Sequence, residues 1–343
     1  MDEQRRRDGM KEPTKGRWPR RLGIGCGGLL LLLIIAATAL WISKPWVPDI
    51  ESAAPGPGGQ RVTIGGNIGN FYPGPAGQRS AAILVLGGSE GGLGNGADSR
   101  ARALHAQGYT TLALSWYRLP GQPERLERVP LETFYAALDW LAVRPEVDPA
   151  RIAMFGTSKG AEAALLVAAR RPQQVRAVVA AMPSHVVWQG FDWSMMPVNT
   201  SSWSEGGRPV PYLPITTADW SGDIYGPALA SLPRHQNTII PVERIIGAVL
   251  LACGEADSLW PSCRMARAVR DRRVQAGGIT TELLAYRDAG HGGHGPPVAA
   301  GTPAAERIAS LGGTIAGNLA AREDGWPRTL AFLATALAPE TAQ

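Results

Sequence analysis

A mostly parallel α/β sheet with helices on both faces is predicted by three observations. Strand-like and helix-like segments alternate along most of the chain. Several strand-like runs, such as 81–86 (Ala-Ala-Ile-Leu-Val-Leu) and 175–181, are almost continuously apolar. A strand without a polar face belongs in a sheet covered on both sides. Finally, 343 residues with 45% hydrophobic side chains suffice for one large domain of this kind plus extensions.

The elements follow in order. Residues 61–72 offer two short strands with a glycine turn between them. The apolar run 81–86 ends in Gly87-Gly88-Ser89-Glu90-Gly91-Gly92. A helix is predicted over 97–107, terminated by Gly108, and a strand over 110–115. Residues 131–143 read as a helix, with Phe134, Leu138 and Leu141 on one stripe. A buried strand at 151–155 leads through Gly156-Thr157-Ser158-Lys159-Gly160 into a helix over 161–170, and 175–181 is the next strand. The rhythm breaks at 184–243, which is rich in Trp, Pro, Ser and Gly; so long an irregular stretch is expected to be a functional insertion. Order returns with a strand at 245–252, a helix at 262–276, a strand at 280–286 and a closing helix at 326–337.

The segment ahead of this domain differs in character. Residues 1–21 carry eight basic and four acidic side chains, so most of the net charge of +5 sits there. The remainder is near neutral, which argues against a nucleic-acid surface. Residues 22–43 hold no charge, and at helical rise they cover about 33 Å, enough for a bilayer core. The expected layout is a basic cytoplasmic tail (1–21), a transmembrane signal anchor (22–43), a Pro/Gly linker (44–60) and the α/β domain (61–340), placed on the extracytoplasmic side. A cleaved signal peptide, with Ala37-Thr38-Ala39 as its cleavage site, is the alternative. Of three cysteines, Cys26 lies in the apolar run. Cys253 and Cys263 are read either as a disulfide bracing the residues between them or as two buried thiols. No spacing suggests a zinc site, and neither a metal nor an organic cofactor is implied.

The chemistry starts at Ser158. G-x-S-x-G between a strand and a helix is the nucleophile-elbow pattern, with glycines on both sides of a sharp turn. A serine hydroxyl is a poor nucleophile until a base takes its proton and a carboxylate orients that base. Asp257 follows the strand ending at Ala252, and His291 follows the strand ending at Tyr286. Both therefore fall at the sheet edge where Ser158 sits, and the order Ser, Asp, His is that of α/β-hydrolases. Glu255 and His294 are the rival acid and base; His105, His185 and His235 lie elsewhere in the pattern. Oxyanion donors are expected from the backbone N–H of Lys159 and from the Gly88–Glu90 loop, centred on Ser89. Lys159 is the only lysine after residue 44. A cation at a helix N-terminus is disfavoured, so it is expected to pair with Glu162 or Glu90 or to touch an acidic substrate. In the insertion, Trp188, Phe191, Trp193, Trp203, Tyr212, Trp220 and Tyr225 suggest an apolar cap over the site, with Trp188, Trp193 and Trp203 as substrate contacts.

These residues resemble a known family, the C-terminal domain shared by acyl-CoA thioester hydrolases and bile acid-CoA:amino acid N-acyltransferases. The resemblance rests on Gly156-Thr157-Ser158-Lys159-Gly160-Ala161-Glu162, Pro183-Ser184-His185-Val186-Val187-Trp188-Gln189-Gly190, Pro241-Val242-Glu243-Arg244-Ile245, Asp257-Ser258-Leu259-Trp260-Pro261-Ser262 and Ala289-Gly290-His291. Gly312-Gly313 and Trp326 followed by Phe332-Leu333 also fit, and the likeness covers roughly 80–337. It implies a triad of Ser158, Asp257 and His291, and a serine matches the family's hydrolytic branch, since its transferases use cysteine. The expected function is cleavage of an acyl thioester or ester through an acyl-enzyme. The alternatives are a dienelactone-hydrolase-like or peptidase-like hydrolase of an extracytoplasmic ester or amide, and a catalytically silent, membrane-anchored binding module.

Overall fold

The computed structural model describes residues 20–47, 49–215, 223–277 and 280–339; within the first helix, side chains are described from residue 28 onward. The basic tail over 1–19 and Trp220 lie outside the described residues. The chain divides into two units between Val47 and Pro48. The first contains helix α1, Arg20–Ser43, whose Leu29–Leu33 stretch, Ile34, Ile35 and Leu40 to Ile42 are exposed. Among the described residues no helix is long and apolar enough to cross a membrane. The transmembrane helix expected over 22–43 thus has no support among the described residues.

The second unit is built on an eight-stranded sheet. Its strands are β1 (Gln60–Ile64), β2 (Asn67–Tyr72), β3 (Ser80–Leu86), β4 (Thr110–Leu114), β6 (Val147–Thr157), β7 (Ala177–Ala181), β10 (Ala248–Gly254) and β11 (Thr281–Tyr286), in the spatial order β1-β2-β4-β3-β6-β7-β10-β11. β1 pairs antiparallel with β2, and β2 with β4; all other pairs are parallel. A second sheet joins β5 (Val129–Pro130), β8 (Trp203–Glu205) and β9 (Arg208–Pro209). The helices of this unit are α2 (Asn95–His105), α3 (Glu132–Ala142), α4 (Lys159–Arg170), α5 (Tyr225–Ala230), α6 (Ser262–Gln275), α7 (Pro303–Ala309) and α8 (Ile315–Ala336).

The alternation of side chains along each strand sorts the core into two layers. Leu84, Leu86 and Met154 point into one, covered by α3, α4 and α6 through Phe134, Leu138, Leu165 and Val269. Ile83, Val85 and Phe155 point into the other, covered by α2 and α8 through Ala101, Leu104, Trp326 and Leu333. This is the two-sided parallel sheet that continuous apolar runs require.

Two elements depart from the sequence reading. The closing helix begins at Ile315, well ahead of Trp326, with Thr314 capping it by accepting the Gly317 N–H at 2.9 Å. Gly325 and Pro327 both lie inside α8, which thus runs through two residues of low helix propensity. Gly325 is small because a β-carbon there would lie 3.0 Å from the Tyr286 hydroxyl and 3.1 Å from His294 Nδ1. The insertion over 184–243 is also more ordered than expected, since it supplies β8 and β9 and pairs back onto β5.

Candidate active site

β6 runs straight into α4, and Ser158 is the joint. Its backbone is at φ 55°, ψ −121°, outside the comfortable range for a residue with a side chain. The flanking glycines make the turn possible. A β-carbon on Gly156 would lie 2.1 Å from the Gly160 oxygen, and one on Gly160 would lie 2.2 Å from the Gly87 oxygen. The Ser158 N–H donates to Ala181 O of β7 at 2.9 Å. That leaves the N–H of Lys159, in the first turn of α4, among the donors a helix start cannot satisfy internally.

The loops after β10 and β11 bring Asp257 and His291 together. His291 Nδ1 donates to Asp257 Oδ2 at 2.8 Å, and both side chains are buried. Asp257 Oδ1 accepts the N–H groups of Leu259 at 2.9 Å and Trp260 at 3.2 Å, which fixes the carboxylate. With Nδ1 donating, Nε2 is the acceptor nitrogen of the ring. It is buried, and no hydrogen bond joins it to Ser158 or to any other described residue. Free enzymes often hold such pairs loosely until substrate arrives. Ser158 and His291 both line one cavity of about 790 Å³.

A third segment holds these two loops in register. Gly312 forms a bridge to Asp257 and Gly313 one to Ala289. Both glycines have positive φ, at 98° and 70°, and a β-carbon on Gly312 would lie 2.3 Å from the Ala256 oxygen. Buried Asn318 adds an accepting Oδ1 for the Gly290 N–H at 2.9 Å and donates Nδ2 to the oxygens of Gly312 and Thr314. Asn318 escaped the sequence reading; nothing in its neighbourhood sets it apart from a polar helix residue.

The rivals fall away on geometry. Glu255 is exposed and pairs with Arg267. His294 is buried against Phe155, and its ring contacts Thr329 Oγ1 at 3.2 Å. Because the Thr329 hydroxyl donates to Gly325 O, His294 Nε2–H must be the donor in that contact. Burial, reinforced by Arg100 and Arg322, pushes the His294 pKa down to about 3, so this ring is neutral. His185 is likewise held down at about 4 by burial and by Arg264. His105 and His235 lie outside the cavity lining.

Ser89 lines the cavity, and its carbonyl accepts from the Tyr117 hydroxyl and, at 2.6 Å, from Trp193 Nε1. The neighbouring Gly88 N–H is occupied by Glu90 Oε1 at 3.0 Å. The loop is thus clamped from two sides beside Ser158. Lys159 turns its side chain away from the cavity. Its Nζ donates to Glu162 Oε2 at 2.7 Å and lies 5.3 Å from the centre of the Trp203 ring. Glu162 Oε1 accepts from the Trp188 N–H at 3.1 Å and from Trp203 Nε1 at 2.7 Å. Burial pushes the carboxyl up and the ammonium down, and their mutual attraction opposes both shifts. Of the partners expected for Lys159, the structure selects Glu162.

This arrangement corrects the expected cap. Trp188 and Trp203 do not line the cavity: Trp203 packs in the main core, and Trp188 stacks edge-on against Tyr225. Only Trp193 of the three reaches the site. Aromatic content cannot distinguish a ring that lines a cavity from one that fills a core, and here the buried Glu162 carboxylate takes the Trp203 indole N–H and the Trp188 backbone N–H. The apolar wall comes instead from Leu259 and the segment after His291, through Val298, Ile308 and Leu311. Cys253 and Cys263 form a disulfide across the Asp257 loop.

Comparison with known proteins agrees with this layout. A mouse acyl-coenzyme A amino acid N-acyltransferase 1 is 29% identical over 280 residues, covering 79% of this chain and 64% of its own length. A rat acyl-coenzyme A thioesterase 1 is 30% identical over 218 residues, covering 61% of this chain and 48% of its own. The chain thus spans between about half and two thirds of these relatives. Among solved structures, a dienelactone hydrolase from Klebsiella pneumoniae superposes with a TM-score of 0.52 at 19% identity, over 80% of this chain and 98% of that one. A thermophilic esterase from Thermogutta terrifontis gives 0.51 at 17% identity, over 85% and 99%. These likenesses show an α/β-hydrolase fold. The model of the BAAT / Acyl-CoA thioester hydrolase C terminal family matches residues 129–339, well over half of the chain, and the protein therefore belongs to that family.

Proposed function

We propose that the protein is a serine hydrolase that cleaves an acyl thioester or ester. The observation that carries this reading is the cavity shared by Ser158, on its strained elbow, and His291, whose Nδ1 is committed to Asp257. Ser158 Oγ attacks the acyl carbonyl while His291 Nε2 takes its proton. Asp257 holds the ring and stabilises the imidazolium. The N–H of Lys159, with Ser89 on the facing loop, receives the oxyanion. The imidazolium then protonates the leaving group, and water, activated by the same ring, releases the acid. Family membership and the relatives' thioesterase activity support this assignment. Ser158→Ala is expected to lower turnover of an activated acyl ester about 10⁴-fold or more and to abolish labelling by a fluorophosphonate. Labelling that persists in the variant rejects the assignment.

The first relatives are named as amino acid N-acyltransferases, which favours a second reading with an amino acid replacing water as acceptor. Product analysis with excess glycine separates the two, since transfer yields the N-acyl amino acid. We further infer that 22–43 anchors the chain in a membrane and that the domain lies outside the cytoplasm. The charge-free run behind a basic tail and the Cys253–Cys263 bond support this. A periplasmic-type reporter fused after residue 50 tests it; activity confined to the cytoplasm rejects it.

A further inference from the structure

The cavity at Ser158 has two kinds of wall. One is apolar, formed by Trp193, Leu259, Val298, Ile308 and Leu311; the other carries arginines. Arg102 is neutralised by Asp98 at 3.0 Å, and Arg307 stands exposed. Arg100 and Arg322 are recessed and face each other. A β-carbon placed on Gly295 would lie 3.3 Å from Arg322 Nη1 and 3.4 Å from Arg100 Nε, so both guanidiniums converge on one point.

Neither forms an ion pair among the described residues. Arg322 donates Nε to Gly292 O and Nη1 to Pro296 O, both at 2.8 Å. Arg100 donates Nη1 to Gly96 O at 3.0 Å and Nη2 to His294 O at 3.5 Å, while its buried Nε has no acceptor. Carbonyl oxygens offer partial charge and no counterion. Glu90, the carboxylate that acts on Arg100, also lines the cavity; it is exposed, and its Oε1 accepts the Gly88 N–H. Burial and the proximity of Arg100 push the Arg322 pKa down to about 9, the sign of cations held where charge is unwelcome. Buried charges in native proteins are paired, and an unpaired set in a cleft marks a place for a ligand. Stapling the Gly292–Pro296 turn accounts for Arg322 but leaves the Arg100 Nε unused.

We propose that Arg100 and Arg322 form an anion subsite of the Ser158 cavity, which takes a compact oxyanion, a carboxylate or a terminal phosphate, carried by the acyl substrate. The inference rests on the reading of this cavity as the site of acyl hydrolysis. A planar guanidinium binds such a group through paired N–H donors. Held there, the anion orients the carbonyl toward Ser158, and the apolar wall receives the carbon chain between them.

The test compares activated p-nitrophenyl esters of equal length ending in methyl, carboxylate or phosphate, on the full-length protein at fixed ionic strength. The charged esters are expected to show kcat/KM at least about tenfold above the neutral one. Arg100→Met should shrink that ratio by about tenfold or more, and Arg100→Lys should recover part of it. Which charged ester is preferred identifies the anion. Equal kcat/KM for all three, or a ratio that Arg100→Met leaves intact, overturns the subsite. A second readout needs no turnover: glutarate or inorganic phosphate should raise the Tm of the native protein, and less so that of Arg100→Met. With Ser158 unreactive toward a fluorophosphonate, that shift would still support the subsite while the hydrolase reading fell; no shift with either anion would overturn it.

Discussion

Two clusters of buried charge flank the same sheet edge, and they are built in opposite ways. Behind Ser158, Lys159 and Glu162 form a closed set: one cation, one anion, and two tryptophan N–H donors on the remaining carboxylate oxygen. Across the cavity, Arg100 and Arg322 are two cations whose hydrogen bonds, among the described residues, all go to carbonyls, with the Phe155 ring 5.9 Å from the Arg100 guanidinium. The closed set has nothing left to offer a ligand. It ties the first turn of α4 to the insertion and so fixes the elbow from behind. The open set is costly to the empty protein and gains when an anion enters. Satisfaction of hydrogen bonds, more than the number of charges, separates a structural cluster from a binding one.

The contrast is broken most directly at Glu162. Glu162→Gln leaves Lys159 buried without its anion and should cost about 3–5 kcal/mol in denaturant unfolding. A loss below ~1 kcal/mol would mean that the pair is dispensable. The next effect concerns His294, which lies against the open set. Its folded pKa of about 3 is below the ordinary value near 6.5, so its contribution to stability is complete above pH 6.5 and is lost as pH falls toward 3. Between pH 7 and pH 4 the native protein should lose on the order of 3 kcal/mol more than His294→Phe. Parallel pH curves for the two proteins would show that the ring is protonated when folded. The smallest effect is expected at Arg100. Removing an unpaired cation with Arg100→Met should change unfolding free energy by less than ~1 kcal/mol, in either direction. A loss comparable to that of Glu162→Gln would erase the distinction between the clusters.

Much of the site was legible because its constraints are local. The approach of Gly156 to Gly160 requires small residues at fixed spacing around Ser158, so the elbow is written in consecutive positions. Asp257 and His291 were legible because each follows a strand whose apolar run marks its end. The two-sided sheet could be read for the same reason. Tertiary neighbours decided the rest. The Trp203 indole is drawn inward by Glu162 and the Trp188 ring by packing on Tyr225, contacts that no sequence window contains. Arg100 and Arg322 meet only because α2 and α8 cover the same face of the sheet. Gly325 and Pro327 have low helix propensity, yet α8 runs through both, and Gly325 leaves the room that Tyr286 and His294 occupy.

The sulfur–sulfur link between Cys253 and Cys263 closes a small ring that contains Asp257, joining the tip of β10 to the first turn of α6. The carboxylate is therefore tethered covalently as well as by hydrogen bonds. Both sulfurs are buried, at 0% and 3% exposure. Reagents that count thiols would find neither atom in the native molecule whatever its redox state. Maleimide uptake becomes informative only after the chain is denatured, with and without prior reductant.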